Sequence, residues 1–227
     1  MPIDPNAALE ITAFEWVPPF AQGLVRDLRP RWACEELGLA YKVRLISALE
    51  RPEWYFCDQP FGQVPFVRDG EVGVFESGAT LIHIAEKANA LHPVGTQERA
   101  KVFSWLLAAF NSVEPYVMEL ANVAVFSRKE DWAQQRRPSL VETLNGRLSR
   151  LETALGDSRW LAGDFSIADI AMITILRGLA DPAILPGHAA LAAYVDRGMA
   201  RPAFQRALEA QLAPFPEHDP KQQKEGV

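Results

Sequence analysis

The sequence predicts a mixed α/β domain followed by an all-helical domain, and the distribution of strand and helix patterns supports this division. Residues 1–90 contain such patterns in the order strand, helix, strand, short helix, hairpin, helix. Residues 97–213 contain helical patterns only. A stripe of leucines at spacings of three and four marks one of these helices: Leu140, Leu144, Leu148, Leu151 and Leu155. We therefore expect one domain over 1–90, a second over 97–213 and a flexible tail over 214–227.

The first half of the α/β domain has the pattern of a strand–helix–strand unit. Alternating β-forming residues predict one strand over Leu9–Trp16 and another over Tyr41–Leu45. Between them, a long loop over Val17–Arg26 precedes a helix over Leu28–Leu37. Gly38 is the residue type that commonly follows the end of a helix. This unit is expected to place both strands in one sheet.

A hairpin and a helix complete the α/β domain. The dipeptide Asp69-Gly70 lies between two short apolar runs, which is a strong signal for a tight turn between antiparallel strands. Glu76-Ser77 then opens a helix that is expected to end at about Ala88. A strand–helix–strand unit followed by a hairpin predicts a small mixed sheet.

Composition and charge argue against several classes of function. The formal net charge of −6 does not favour a nucleic acid or an anionic membrane as partner. The two cysteines, Cys34 and Cys57, form no CxxC pair, and the four histidines lack the spacing of metal ligands. We therefore expect no disulfide scaffold and no metal. No stretch approaches ~18 consecutive apolar residues, and the start lacks the pattern of a secretory signal, so we expect a cytoplasmic protein without a membrane span.

Three segments of the chain resemble the glutathione transferase family. They are RWACEELGLAYKV at 31–43, PFGQVPFVRDGEVGVFESGATLIHIAEK at 60–87 and FSIADIAM at 165–172. The resemblance implies a cytosolic glutathione transferase, in which a thioredoxin-like N-terminal domain binds the co-substrate glutathione. The helical C-terminal domain would then offer an apolar pocket to the second substrate. Fold alone does not establish function, so the residues of the site carry the argument.

The resemblance implies a glutathione site made of five residues. It implies that Pro65 follows a cis peptide bond and that the backbone of Val64 binds the cysteinyl unit; otherwise Val64-Pro65 merely starts an edge strand. Ser77, at a helix N-terminus, would cap the helix and donate its hydroxyl to a glutathione carboxylate, and Glu76 would accept the ammonium. The alternative is a plain serine cap beside a solvated glutamate. Gln63 would contact the ligand or be an exposed loop residue.

The group that activates the glutathione thiol is not identifiable from the sequence. Pro18–Gln22 (PPFAQ) resembles the family's cysteine-type loop, but Pro18 stands where that cysteine would be. The stretch Glu15–Ala33 contains no Ser, Thr, Tyr or Cys, the residue types that could replace it. Main-chain N–H groups, Gln22 and Arg26 are the candidates, with a plain solvated loop charge as the alternative for Arg26.

The helical domain supplies two further predictions. Trp105, Phe110 and Tyr116 are candidates for the second-substrate pocket, although a stripe of this kind is more often core packing. Ser166 and Asp169 have the spacing of a capping box, which is a structural motif.

The leading hypothesis for function is conjugation of glutathione to a small apolar electrophile, as in detoxification. The alternatives are glutathione-dependent isomerisation or dehalogenation, and a non-catalytic binding or regulatory protein with the same fold. The resemblance also implies a homodimer that associates through the long helix from Gln97.

Overall fold

A computed structural model describes residues 2–93 and 95–220 of the chain. These residues form two compact units. The first unit joins the residues up to Ala90 to those from Arg201 onward, and the second covers Leu91–Ala200.

A four-stranded mixed sheet forms the centre of the first unit. Its strands are β1 (Leu9–Phe14), β2 (Tyr41–Ile46), β3 (Phe66–Asp69) and β4 (Val72–Phe75). The order across the sheet is β2-β1-β3-β4. The first strand is parallel to β2 and antiparallel to β3, and β3 and β4 form the hairpin. This is the small mixed sheet that the sequence predicts.

Three helices accompany this sheet in the first part of the chain. They are α1 (Leu28–Leu37), α2 (Tyr55–Asp58) and α3 (Ser77–Ala88). Gly38 follows α1 with a φ of 62°, a left-handed conformation that glycine adopts at no steric cost. The predicted hairpin turn is also held by α3, because Asp69 accepts hydrogen bonds from His83 and Lys87 of that helix. Partial burial alone would raise the pKa of the Asp69 carboxyl, but these two donors lower it.

The second unit is helical throughout its main elements. Its helices are α4 (Thr96–Ala108), α5 (Glu114–Ala121), α6 (Asp131–Leu155), α7 (Ile167–Leu176) and α8 (Ala189–Met199). A π-helical turn, Ala109–Val113, separates α4 from α5. Pro115 lies two residues after it, and because proline has no N–H to donate, a disturbed turn at this point is expected. The leucine stripe of α6 is buried, as its spacing predicts.

The last helix, α9 (Pro202–Leu212), belongs to the first compact unit and not to the helical one. The sequence pattern places it in the helical domain, because its 3.6-residue period does not reveal which partner buries it. Arg206 pairs with Glu35 of α1 at 2.7 Å, and Arg201 binds both carboxylate oxygens of Glu36 at 2.5 and 2.7 Å. These charged contacts join the helix to α1.

The contact between α9 and α1 also includes a buried polar cluster. Asp27, just before α1, pairs with Arg31 at 2.7 Å, and both side chains are almost completely buried. Gln211 of α9 donates to the Asp27 carboxylate at 2.6 Å and to the carbonyl of Val25 at 3.0 Å. Burial raises the pKa of the Asp27 carboxyl, and Arg31 and Gln211 oppose that shift.

The residues after α9 correspond to the predicted tail. Phe215 is buried, and its N–H donates to the carbonyl of Leu212. The rest of the predicted tail, 221–227, lies outside the described residues. The tail over 214–227 therefore stays a prediction.

The capping box predicted at the start of α7 is present. The Asp169 carboxylate accepts the main-chain N–H of Ser166 at 2.9 Å and its hydroxyl at 3.0 Å. It also accepts the N–H of Leu161 at 3.0 Å and the hydroxyl of Tyr194, on α8, at 2.8 Å. Asp169 therefore links three segments of the second unit, and burial raises the pKa of its carboxyl.

Neither a membrane-crossing helix nor a metal cluster occurs among residues 2–93 and 95–220. No helix there combines the length and the apolar character that crossing a bilayer requires. The same residues contain no group of three His, Cys, Asp or Glu side chains placed to hold a metal ion.

Candidate functional site

The turn that leads into β3 is held by two buried side chains, Tyr55 and Gln59. The Tyr55 hydroxyl donates to the main-chain carbonyl of Gln63 at 2.7 Å. The side-chain oxygen of Gln59 accepts the main-chain N–H groups of Phe61 at 2.6 Å and Gln63 at 3.3 Å. Tyr55 is 0% and Gln59 2% exposed. Both contacts therefore restrain the backbone of Gln63, the residue before Val64.

The peptide bond between Val64 and Pro65 is cis, as the resemblance implies. The Val64 side chain is buried in an apolar cluster that also contains Tyr55 and Phe66. Among the described residues, neither the main-chain N–H nor the C=O of Val64 has a hydrogen-bond partner. The chain before β3 therefore offers an unpaired donor and acceptor, which is what an extended peptide needs for backbone pairing.

The cis bond and the start of α3 lie at the same end of the hairpin. Phe66 pairs with Phe75 at the last position of the β3–β4 ladder. Pro65 and Glu76 are the residues that adjoin this last pair, one on each strand of the hairpin. The resemblance assigns these two segments to one site, and the strand pairing brings them together.

Glu76 has a strained backbone at the entrance to α3. Its φ of 68° and ψ of 121° lie outside the regions that non-glycine residues normally occupy, and its side chain is exposed. Strain of this kind costs on the order of 1–3 kcal/mol and is often found at ligand-binding positions. Glu76 is the residue that caps α3, through its backbone and without a side-chain hydrogen bond.

Ser77 is the first residue of α3, one position later than the predicted cap. Its hydroxyl accepts a hydrogen bond from Nη1 of Arg29, on α1, at 2.8 Å. Arg29 is 4% and Ser77 5% exposed. Because a hydroxyl that accepts keeps its own proton, Ser77 can still donate to a further acceptor. The buried guanidinium and the N-terminus of α3 together favour an anion at this position.

The loop before α1 brings one of the two candidate thiol activators beside the turn. Nη1 of Arg26 lies 3.5 Å from the side-chain oxygen of Gln63. The Gln22 side chain donates instead to the carbonyl of Val17 at 3.1 Å, within its own loop. Of these two, Arg26 is the one that contacts a proposed glutathione-binding residue.

The three candidate pocket residues lie in the second unit, on α4, the π-helical turn and α5. Trp105 and Phe110 are half-buried. Tyr116 is engaged by α6, because Nη2 of Arg147 donates to its hydroxyl at 2.6 Å and the guanidinium lies 4.0 Å from its ring centre. This contact is sufficient to account for Tyr116 as a packing residue.

The two cysteines differ in burial. Cys34 is buried in α1, and burial raises the pKa of its thiol to about 12. Cys57 is exposed on α2.

The sequence interpretation did not single out Arg29, Tyr55 or Gln59. A buried arginine near a helix start has the same local pattern as a solvated one. Tyr55 and Gln59 lie in a segment whose period predicts only a short helix or turn.

The fold, with its cis bond opposite the start of α3, defines the class of protein. Residues 21–86 match the family model of the glutathione S-transferase N-terminal domain, and residues 113–202 match that of the C-terminal domain. The chain belongs to the glutathione S-transferase family, as its three segments indicate.

Two curated relatives illustrate the similarity. Glutathione S-transferase F9 of Arabidopsis thaliana is 30% identical over 187 residues, which cover 76% of this chain and 87% of the relative. Glutathione S-transferase GstA of Escherichia coli O157:H7 is 29% identical over 200 residues, which cover 85% and 96%.

Solved structures confirm the predicted fold class. The theta class glutathione S-transferase of Xanthomonas axonopodis pv. citri, solved with glutathione bound, is 25% identical and covers 89% of this chain and 97% of its own, with a TM-score of 0.75. A glutathione transferase from Pseudomonas putida, solved with glutathione disulfide, is 22% identical, covers 88% and 90%, and has a TM-score of 0.78. At that identity, the second likeness bears on the fold alone.

Proposed function

We propose that this protein is a glutathione transferase that joins the glutathione thiolate to a small apolar electrophile. The proposal is carried by one arrangement: the unpaired main-chain groups of Val64 lie at the same end of the hairpin as the start of α3, where the Arg29 guanidinium binds the Ser77 hydroxyl. Family membership supports it, and relatives of this fold have been solved with glutathione bound.

Each part of glutathione has a proposed partner in this site. The cysteinyl unit pairs with the backbone of Val64, as an extended peptide pairs with a strand. The carboxylate of the γ-glutamyl unit accepts from the Ser77 hydroxyl and the first N–H groups of α3. Glu76 accepts the ammonium of the same unit, and Gln63 contacts the glycyl end. Together these contacts leave the sulfur facing the loop before α1.

Activation of the thiol requires preferential binding of the thiolate. A free thiol has a pKa of ≈ 8.5, and lowering it by ~2 units requires ~2.7 kcal/mol. Arg26 is the favoured donor of the two candidates because it reaches the segment just before Val64, whose backbone is proposed to hold the cysteinyl unit, and it acts with main-chain N–H groups of the loop. Gln22 shapes the loop through its hydrogen bond to the carbonyl of Val17.

The second substrate is proposed to contact Trp105, Phe110 and Tyr116.

A non-catalytic glutathione-binding protein is the second candidate function. The observation that favours it is the absence of Ser, Thr, Tyr and Cys from the sequence between Glu15 and Ala33. Isothermal titration with reduced glutathione, followed by a conjugation assay with chlorodinitrobenzene and a wider electrophile panel, separates the two. Binding with turnover supports the transferase, and binding without turnover over the whole panel supports the second candidate. Turnover that isomerises or dehalogenates the electrophile, without a conjugate as product, would assign one of those reactions.

Replacing Ser77 with alanine tests the carboxylate contact. Ser77→Ala is expected to raise the Kd for glutathione about twelvefold, because one hydrogen bond to a charged group, worth about 1.5 kcal/mol, is lost. Titration calorimetry measures the change, and Ser149→Ala, at an exposed position of α6, is the matched control. An unchanged Kd in Ser77→Ala would remove this contact from the site.

We also propose a homodimer that associates through α4 and α5. Leu107 and Met118 are large apolar side chains that are 56% and 48% exposed on these helices, and a second copy of the chain would cover them. Sedimentation velocity is expected to give about twice the chain mass of 25.2 kDa. Leu107→Glu should shift the protein toward monomer, and Ala154→Glu on α6 should not. A wild-type chain that sediments as a monomer at every concentration would contradict the dimer.

A further inference from the structure

We propose that Tyr55 is a positioning residue for glutathione binding: its hydroxyl holds the carbonyl of Gln63 and thereby sets the position of the Val64 main chain. The inference rests on the proposed function, since it concerns the backbone groups that would pair with the cysteinyl unit. Tyr55 itself would not touch the ligand.

Two contacts of the same side chain converge on this segment. The hydroxyl reaches the Gln63 carbonyl at 2.7 Å, and the ring packs in the apolar cluster that contains the side chains of Val64 and Phe66. Tyr55 therefore holds the peptide group on one side of Val64 and the side chain of Val64 itself.

Gln59 holds the same turn as a hydrogen-bond acceptor, whereas Tyr55 holds it as a donor. Its side-chain oxygen accepts the N–H of Gln63, while Tyr55 donates to the carbonyl of the same residue. The main-chain N–H of Gln59 in turn donates to the main-chain carbonyl of Tyr55 at 2.8 Å, which links the backbones of the two residues. Tyr55, on α2, and Gln59, directly after it, thus satisfy both main-chain polar groups of Gln63.

The Tyr55 hydroxyl keeps its proton and can therefore donate its hydrogen bond at every physiological pH. Burial raises the pKa of Tyr55 further above its ordinary value, with a smaller contribution from Asp58, so the group stays protonated at any physiological pH. Without it, the Gln63 carbonyl would lose its buried donor and the turn would shift toward water. A displacement of about 1 Å is enough to misalign a pair of backbone hydrogen bonds to a ligand.

Tyr55→Phe tests the inference, because it removes the hydroxyl and keeps the ring in the cluster. Titration with reduced glutathione is expected to show a Kd about tenfold higher with the stoichiometry unchanged. Tyr41→Phe is the matched control, since Tyr41 is equally buried but lies at the opposite end of β2 from the cluster residue Ile46. Its Kd should stay within twofold of the wild type.

A second variant keeps the test decisive if Tyr55→Phe folds poorly. Gln59→Met retains the length of the side chain, removes the acceptor and should also raise the Kd about fivefold. A purely structural role would instead lower the fraction of active sites and leave the Kd unchanged, and that result in both variants would overturn the inference. Wild-type protein that does not bind glutathione would overturn the proposed function too, whereas normal wild-type binding with an unchanged Kd in both variants would overturn only this inference.

Discussion

Asp169→Ala should lower the free energy of unfolding by about 4 kcal/mol. The carboxylate accepts four hydrogen bonds, from the N–H and hydroxyl of Ser166, the N–H of Leu161 and the hydroxyl of Tyr194. Alanine would leave these donors unsatisfied in a buried environment, and each costs about 1–3 kcal/mol when it cannot reach water.

Asp169→Asn should cost less than the alanine substitution. One carboxylate oxygen accepts both groups of Ser166, and the other accepts Leu161 and Tyr194. An asparagine retains one of these oxygens and presents a donor in place of the other. We therefore expect a loss of about 2 kcal/mol.

Urea denaturation followed by circular dichroism measures both losses. Asp196→Ala is the matched control, because Asp196 is exposed on the same helix as Tyr194. The control should change the unfolding free energy by less than about 0.5 kcal/mol. If Asp169→Ala were no more destabilising than the control, the carboxylate would not hold the segments together.

Arg29→Met should raise the Kd for glutathione about thirtyfold, more than Ser77→Ala. The guanidinium donates to the Ser77 hydroxyl at 2.8 Å, so a carboxylate that accepts from this hydroxyl would lie within about 6 Å of the positive charge. At an intermediate effective dielectric, a charge at that distance contributes about 2 kcal/mol. Methionine keeps the buried aliphatic stem and removes the charge together with the orientation of Ser77.

Calorimetric titration of three variants separates charge from packing. Arg29→Lys retains the charge without the planar fork and should recover part of the lost affinity. Arg44→Met, which removes a partly exposed arginine from β2, should leave the Kd unchanged. An Arg29→Met protein that is folded and binds glutathione within threefold of the wild type would show that this charge does not act on the ligand.

The sequence predicts the segments that form the candidate site, but it does not predict the side chains that support them. Val64-Pro65, Glu76 and Ser77 were found because their order in the chain resembles the family. Their grouping follows from the hairpin, which the Asp69-Gly70 turn signal already predicts. Ser77 was expected to cap α3, but the residue before it takes that place, and the hydroxyl is used by Arg29 instead.

The mixed sheet, the helical unit, the capping box at Ser166 and the family are all predictable from the amino-acid sequence, because each depends on neighbouring residues or on a fixed order of motifs. Three other features emerge only from the folded chain: α9 joins α1, Arg29 reaches Ser77 across 48 positions, and Tyr55 and Gln59 hold the turn before Val64. These contacts join side chains whose local patterns fit either a buried or a solvated position. Whether such a side chain is buried or solvated depends on the packing of distant segments, and the periodicity of the sequence carries no information about that packing.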